Sequence, residues 1–285
     1  MDDQFQPYVN RVIGLTHPDH YEQQLSVIHA SPKYQHQDGR WQAVPFPGCS
    51  IISPPSGEDP INQDFYQQLQ AVLVTLQAEL PAELLIPLPQ ESLHMTLADL
   101  LWAENFSQAA QAEGFGEQLN QEIGQVLQGV PDQQTQPIRF QVVGLMVMPR
   151  ALGLCLVPET EASYERIRSL RRSLYQQPGL LGLGIEQQYN FTAHITLGYF
   201  GQIPPDLDAK AWAQRLVQLN QSRVVALPEF AVQRAELRQF DDMTIYRRQP
   251  DWPVLDFEDA CYRTGIWSSI CTAHLENSAS PPDHR

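Results

Sequence analysis

The chain has 285 residues, 42% of them hydrophobic, which is ample for one large core or two fused lobes. Its formal charge of −15 argues against a grip on duplex DNA or long RNA, which needs a basic face to displace counterions, and leaves small ligands or short nucleotide ends as partners. No stretch approaches the ~20 apolar residues of a membrane span. The opening "MDDQFQPYVNR" lacks the basic-then-apolar order of a secretory signal. Cys49, Cys155, Cys261 and Cys271 form no CxxC pair and no zinc spacing, so a reducing, cytoplasmic setting is expected.

Residues 1–44 read as a polar, irregular N-terminal extension with a helix near 18–30. Cys49 to Ser53 form a strand bracketed by Pro and Gly turn signals. Phe65, Leu69, Val72, Leu73 and Leu76 then recur at the three-and-four spacing of an amphipathic helix, with Pro81 beyond its end. "LLIPLP" is broken by proline and predicts a sheet edge or an extended lead-in. A Gln-rich helix over roughly 108–129 follows, and then a hairpin over 137–158 that turns at Pro149-Arg150. "ETEASYERIRSLRRSLYQQ" predicts a helix with acids first and bases later, in favourable order for its dipole, stopped by Pro178-Gly179. Its basic run, 166–172, reads as a solvated helix face. Another helix over 206–220 and strand-like runs over 224–240 and 243–257 complete the chain before a frayed tail within 251–285. Helices alternate with strands, yet strands also follow strands directly, which predicts an α+β fold with mainly antiparallel sheets.

Two short segments stand apart. "HMTL" at 94–97 and "HITL" at 194–197 repeat one pattern at a separation of 194 − 94 = 100 residues. In a strand, residues i and i+2 share a face, so each segment shows an imidazole and a hydroxyl in front and buries its apolar pair behind. Such a match arises by chance on the order of 0.1 times in a chain this long, so two together point to function. Phosphodiester chemistry needs a base for the attacking oxygen and an acid for the leaving one, roles that histidine fills at neutral pH. Thr96 and Thr196 can donate to the non-bridging phosphoryl oxygens, where charge develops. These four groups require no metal. Which histidine is the acid stays open at this point.

These motifs resemble those of the two-histidine (2H) phosphoesterase superfamily, and "HITLGYF" extends the likeness with Gly198 and an aromatic pair. The resemblance covers roughly 45–250. It implies a bilobal α+β fold with pseudo-twofold symmetry, in which two mainly antiparallel sheets line a central groove and helices lie outside. The lobes would span roughly 45–135 and 136–250, with strands exchanging between them. It further implies work without cofactor on cyclic phosphates of nucleotides or short RNA ends, with His94 and His194 as the acid–base pair and Thr96 and Thr196 as phosphate ligands. The alternatives are a non-catalytic protein that binds a nucleotide or RNA end, and RNA 3′-end trimming or 2′–5′ ligation by the same residues.

Tyr199, Trp102 and Arg150 are candidates for substrate contacts. Tyr199 is an odd number of places from His194, so only a bulge could turn it into the groove. Trp102 offers a stacking face or a core filler. Arg139 and Arg150 flank the hairpin, where pairing with surface carboxylates is the default. "HPDH", with His17 and His20, reads as a helix start on the surface rather than a metal site. "GLLGLGIEQ" fits neither a phosphate-cradling loop nor the dinucleotide fingerprint.

Overall fold

A computed structural model describes residues 2–131 and 136–257. The tail, with Cys261 and Cys271, lies outside them. In chain order the elements are α1 (Phe5–Gly14), α2 (Pro18–Leu25), β1 (Tyr34–Gln37), β2 (Arg40–Ala43), β3 (Gly48–Ile52), α3 (Gln63–Glu79), β4 (Leu85–Pro87), β5 (Thr96–Trp102), α4 (Ala103–Ala109) and α5 (Phe115–Gln128). They continue with β6 (Ile138–Val147), β7 (Ala151–Pro158), α6 (Glu161–Gln176), α7 (Pro178–Gly182), β8 (His194–Phe200), α8 (Ala209–Ser222), β9 (Phe230–Val232), β10 (Arg234–Phe240), β11 (Tyr246–Arg247) and β12 (Val254–Asp256).

Two five-stranded sheets carry the fold, and every strand pairing is antiparallel. One runs β11-β10-β3-β5, with β12 also on β10; the other runs β4-β8-β7-β6-β9. Each borrows from the distant half of the chain. The proline-broken β4 is indeed an edge strand, but it lies beside β8, the strand of the second motif. Helices α1 and α6 pack on β7, α6 also reaches β5, and α2 and α8 cover β6. The apolar stripe of α3 is buried at Phe65, Leu69, Val72, Leu73 and Leu76, as its spacing predicts. In α6, Thr160 caps the helix by accepting from Ser163 N at 3.1 Å, and Pro178 opens the separate turn α7.

Three expectations need correction. The N-terminal 44 residues are ordered into two helices and a hairpin. Helix α1 buries Tyr8 and Val12 fully, four residues apart on one face, with Phe5 and Val9 packed partly against the core. The Gln-rich helix is two helices, parted where Gly114 takes a left-handed φ of 76°. The basic run of α6 is not wholly solvated, because Arg171 is only 3% exposed.

Gly198 has a local reason. It pairs with Pro87, and a Cβ there would lie 2.5 Å from the backbone oxygen of Ile86. Gly198→Ala must therefore displace β4, at a cost of about 1–3 kcal/mol. A lower urea midpoint is expected, and an unchanged one would mean that β4 yields freely.

Candidate active site

The two sheets touch at the two motifs. An isolated antiparallel bridge joins Met95 to Ile195, the apolar residues just after the two histidines. By antiparallel register, this bridge sets Thr196 alongside His94 and His194 alongside Thr96, a local twofold arrangement. Met95, Leu97, Ile195 and Leu197 are fully buried behind. In front, His94, Thr96, His194 and Thr196 line one cavity of about 390 Å³. The paired motifs converge as strand parity predicts.

Both imidazoles are held by the same device. Nδ1 of His94 lies 2.7 Å from the carbonyl oxygen of Ser92, and Nδ1 of His194 lies 2.8 Å from that of Thr192. A carbonyl only accepts, so each Nδ1 carries the proton and donates, and each neutral ring keeps its lone pair on Nε2. Burial pushes the pKa of His94 down to about 4 from 6.5, and the nearby His194 and Arg238 act in the same direction. The contact to Ser92 and the charge of Asp99 oppose this shift without overcoming it. The ring of Tyr246, on β11, packs against that of His94 at 62° with centroids 4.1 Å apart. Neither threonine hydroxyl has a hydrogen-bond partner among the described residues, which leaves both open to a ligand.

Beyond the motifs, bulges set which side chains reach the groove. On β5 the pairing with β3 skips Leu97 and Leu100, so Thr96, Asp99 and Trp102 share the groove face at intervals of three. On β8 the pairing with β7 skips Leu197, and Tyr199 turns into the cavity wall. Tyr199 and Trp102 thus both line the cavity. Arg150 does not. It stands exposed at the hairpin turn, its Nη1 donating to the carbonyl of Ala30 at 3.4 Å, because the β6–β7 turn directs it at the N-terminal segment. Arg139 pairs with Glu229 at 3.3 Å on the surface, and His17 caps α2 by accepting from Asp19 N.

Several lining groups escaped the sequence. Lys33 reaches the cavity from the N-terminal segment, with Nζ 3.2 Å from the hydroxyl of Tyr199 and 4.4 Å from the ring centre of Phe46. Burial lowers its pKa to about 8. Asp99, Tyr189 and Tyr246 also line the wall. The one available signal was a carboxylate inside the apolar run "TLADLLW", and its odd spacing from His94 pointed it away from the groove.

A buried ion pair ties the two motif strands together. Arg171 and Asp2 are 3% and 8% exposed, and Arg171 Nε donates to Asp2 Oδ2 at 2.7 Å. Arg171 Nη1 also donates to the carbonyl of Leu97, the residue that the β5 bulge leaves out of the ladder, at 2.8 Å. Its Nη2 donates to the carbonyl of Tyr189 at 3.1 Å, and Asp2 Oδ1 accepts from Phe191 N at 2.6 Å. Arg11 adds bonds to Thr192 Oγ1 and the Phe191 carbonyl at 2.7 and 2.6 Å. The N-terminal residues therefore hold the loop that delivers His194.

Comparison with known proteins agrees with this architecture. Residues 34–149 match the family model described as "2H-phosphodiest: Domain of unknown function (DUF1868)". No curated protein matches the chain. A crystal structure of a conserved protein of unknown function from Agrobacterium tumefaciens is similar at 17% identity and a TM-score of 0.55, covering 81% of this chain and 92% of that one. E. coli LigT complexed with 3′-AMP aligns at 15% identity over 75% of this chain and 99% of its own, with a TM-score of 0.40. Among the described residues, no helix is long and apolar enough to cross a membrane, and no three His, Cys, Asp or Glu side chains group as a metal site. Residues 34–149 thus carry the match to a two-histidine family model, and the bridged motif strands and paired antiparallel sheets give the chain an α+β architecture consistent with the bilobal two-histidine phosphoesterase fold.

Proposed function

We propose that the chain is a phosphodiesterase that opens cyclic phosphates of nucleotides or short RNA ends by general acid–base catalysis. The observation that carries this reading is the convergence of two imidazoles with free Nε2 atoms and two unengaged threonine hydroxyls in one cavity. In this scheme His94 Nε2 takes the proton of the attacking water as its oxygen bonds to phosphorus. The bond from phosphorus to the leaving sugar oxygen breaks on the opposite side, and His194, which enters this step with a proton on both ring nitrogens, delivers the Nε2 proton to that oxygen. The product is a phosphomonoester, and exchange with solvent restores both rings. Thr96 and Thr196 donate to the non-bridging oxygens.

His94 suits the base because burial keeps it unprotonated at neutral pH. The acid limb of kcat/KM is therefore expected below the ordinary histidine value of 6.5, toward about 4. A limb centred at 6.5 or higher would assign the base role elsewhere. The sign for stability is the same: between those values the unfolded chain binds a proton that folded His94 refuses, so stability falls as pH drops through this window. The deciding experiment is a panel of nucleoside 2′,3′-cyclic phosphates and short RNAs ending in one, with products read by mass spectrometry. Ring opening by the parent protein, unaffected by chelator, supports the reading. Tight nucleotide binding with no product over hours would favour the non-catalytic alternative instead.

A further inference from the structure

We propose that Asp99 and Lys33, set along the groove from the two histidines, recognise the edge of a nucleobase that offers adjacent N–H donors beside a carbonyl, which among the common bases is guanine. This rests on the reading above for what sits between the histidines, and it adds what lies beside that group.

Asp99 is one bulged step from Thr96 on the same strand face, at most about 10 Å by strand rise. That is the span from a phosphate across one sugar to a base. Its carboxylate is fixed by protein donors, with Oδ1 accepting from Ser50 Oγ at 3.2 Å and Oδ2 accepting from the Tyr189 hydroxyl. A carboxylate has about four lone-pair directions, so each oxygen keeps one for a ligand. Among the described residues no cation pairs with it, although it lines the cavity together with Lys33. Lys33 has three donors; the Tyr199 hydroxyl and the Met243 sulfur, both at 3.2 Å, engage two of them. No oxygen or nitrogen acceptor takes the third among the described residues, and the ammonium otherwise faces the Phe46 ring at 4.4 Å, a weaker contact that a base carbonyl can share. Trp102 stands one further step along β5 and offers a ring for stacking.

The chemistry of the four bases separates them at this pair. Guanine places two parallel N–H groups against both carboxylate oxygens and turns O6 toward the ammonium. Uracil has one N–H between two carbonyls, so a carbonyl meets the carboxylate. Cytosine and adenine each set a bare ring nitrogen beside their amino group, with the same repulsion. A two-bond base contact of this kind discriminates by about tenfold or more.

The test measures kcat/KM for the guanosine, adenosine, cytidine and uridine 2′,3′-cyclic phosphates, and separately the calorimetric binding of the four nucleosides without phosphate. Guanosine is expected to lead by about tenfold or more. In Asp99→Asn the lead should collapse to near equality, because a carboxamide both donates and accepts. Lys33→Met should shrink it as well. Equal treatment of the four bases by the parent protein, or a guanosine lead that survives both substitutions, overturns the assignment. If no cyclic phosphate is opened, it is the acid–base reading that fails, and the nucleoside binding order still decides between guanine recognition and none.

Discussion

His94→Ala and His194→Ala should each lower kcat/KM on cyclic phosphates by about 10²–10⁴, while both variants keep the parent's unfolding midpoint to within a small margin. The large kinetic effect follows from the proposed division of labour, in which one ring takes a proton and the other gives one in the same displacement. Because they act as a unit, the double variant should fall little further than the worse single one. Thr96→Val and Thr196→Val remove a donor to the developing charge and should act on kcat more than on KM. Full turnover by both histidine variants on every ester that the parent cleaves would remove the basis for the assignment.

The largest effect on stability is expected at Arg171. Truncating it to methionine strands the Asp2 carboxylate in a buried site and frees the Leu97 and Tyr189 carbonyls, which should cost about 3–5 kcal/mol in urea unfolding. The companion Asp2→Asn variant tests the pair from the other side. If the double variant is more stable than Arg171→Met alone, the stranded charge is the main penalty, as for buried pairs generally. Asp2→Asn should also lower kcat more than it raises KM, because Asp2 holds Phe191 N and thus the loop that presents His194. Equal stability of all three variants with the parent would mean that the pair contributes no net stability.

The candidate quartet was legible because its signal is local. Two-residue parity puts His94 with Thr96 and His194 with Thr196 whatever the rest of the chain does. Beyond the quartet, parity fails at the bulges. Leu97, Leu100 and Leu197 each drop out of a ladder, and so Asp99 and Tyr199 face a groove that counting by twos turns away from. Trp102 regains the groove face only because two such slips cancel. Lys33 and Arg171 were illegible for another reason. Their partners, Tyr199 and Asp2, lie 166 and 169 residues away in sequence, and no local pattern announces such a meeting. Arg150, for which the surface was already the default, stands outside the cavity, since a charge beside a turn says nothing about which way the turn faces.

The sheet exchange has a consequence for biogenesis. Strand β3 sits between β5 and β10, and β10 is not made until residues 234–240 are translated. Through most of synthesis, the sheet that will carry His94 must wait with one flank bare and adhesive on the nascent chain. Pairings this remote raise contact order and slow the final closure, so the groove that gathers His94 and His194 is completed only once residues 234–240 have been made and have docked.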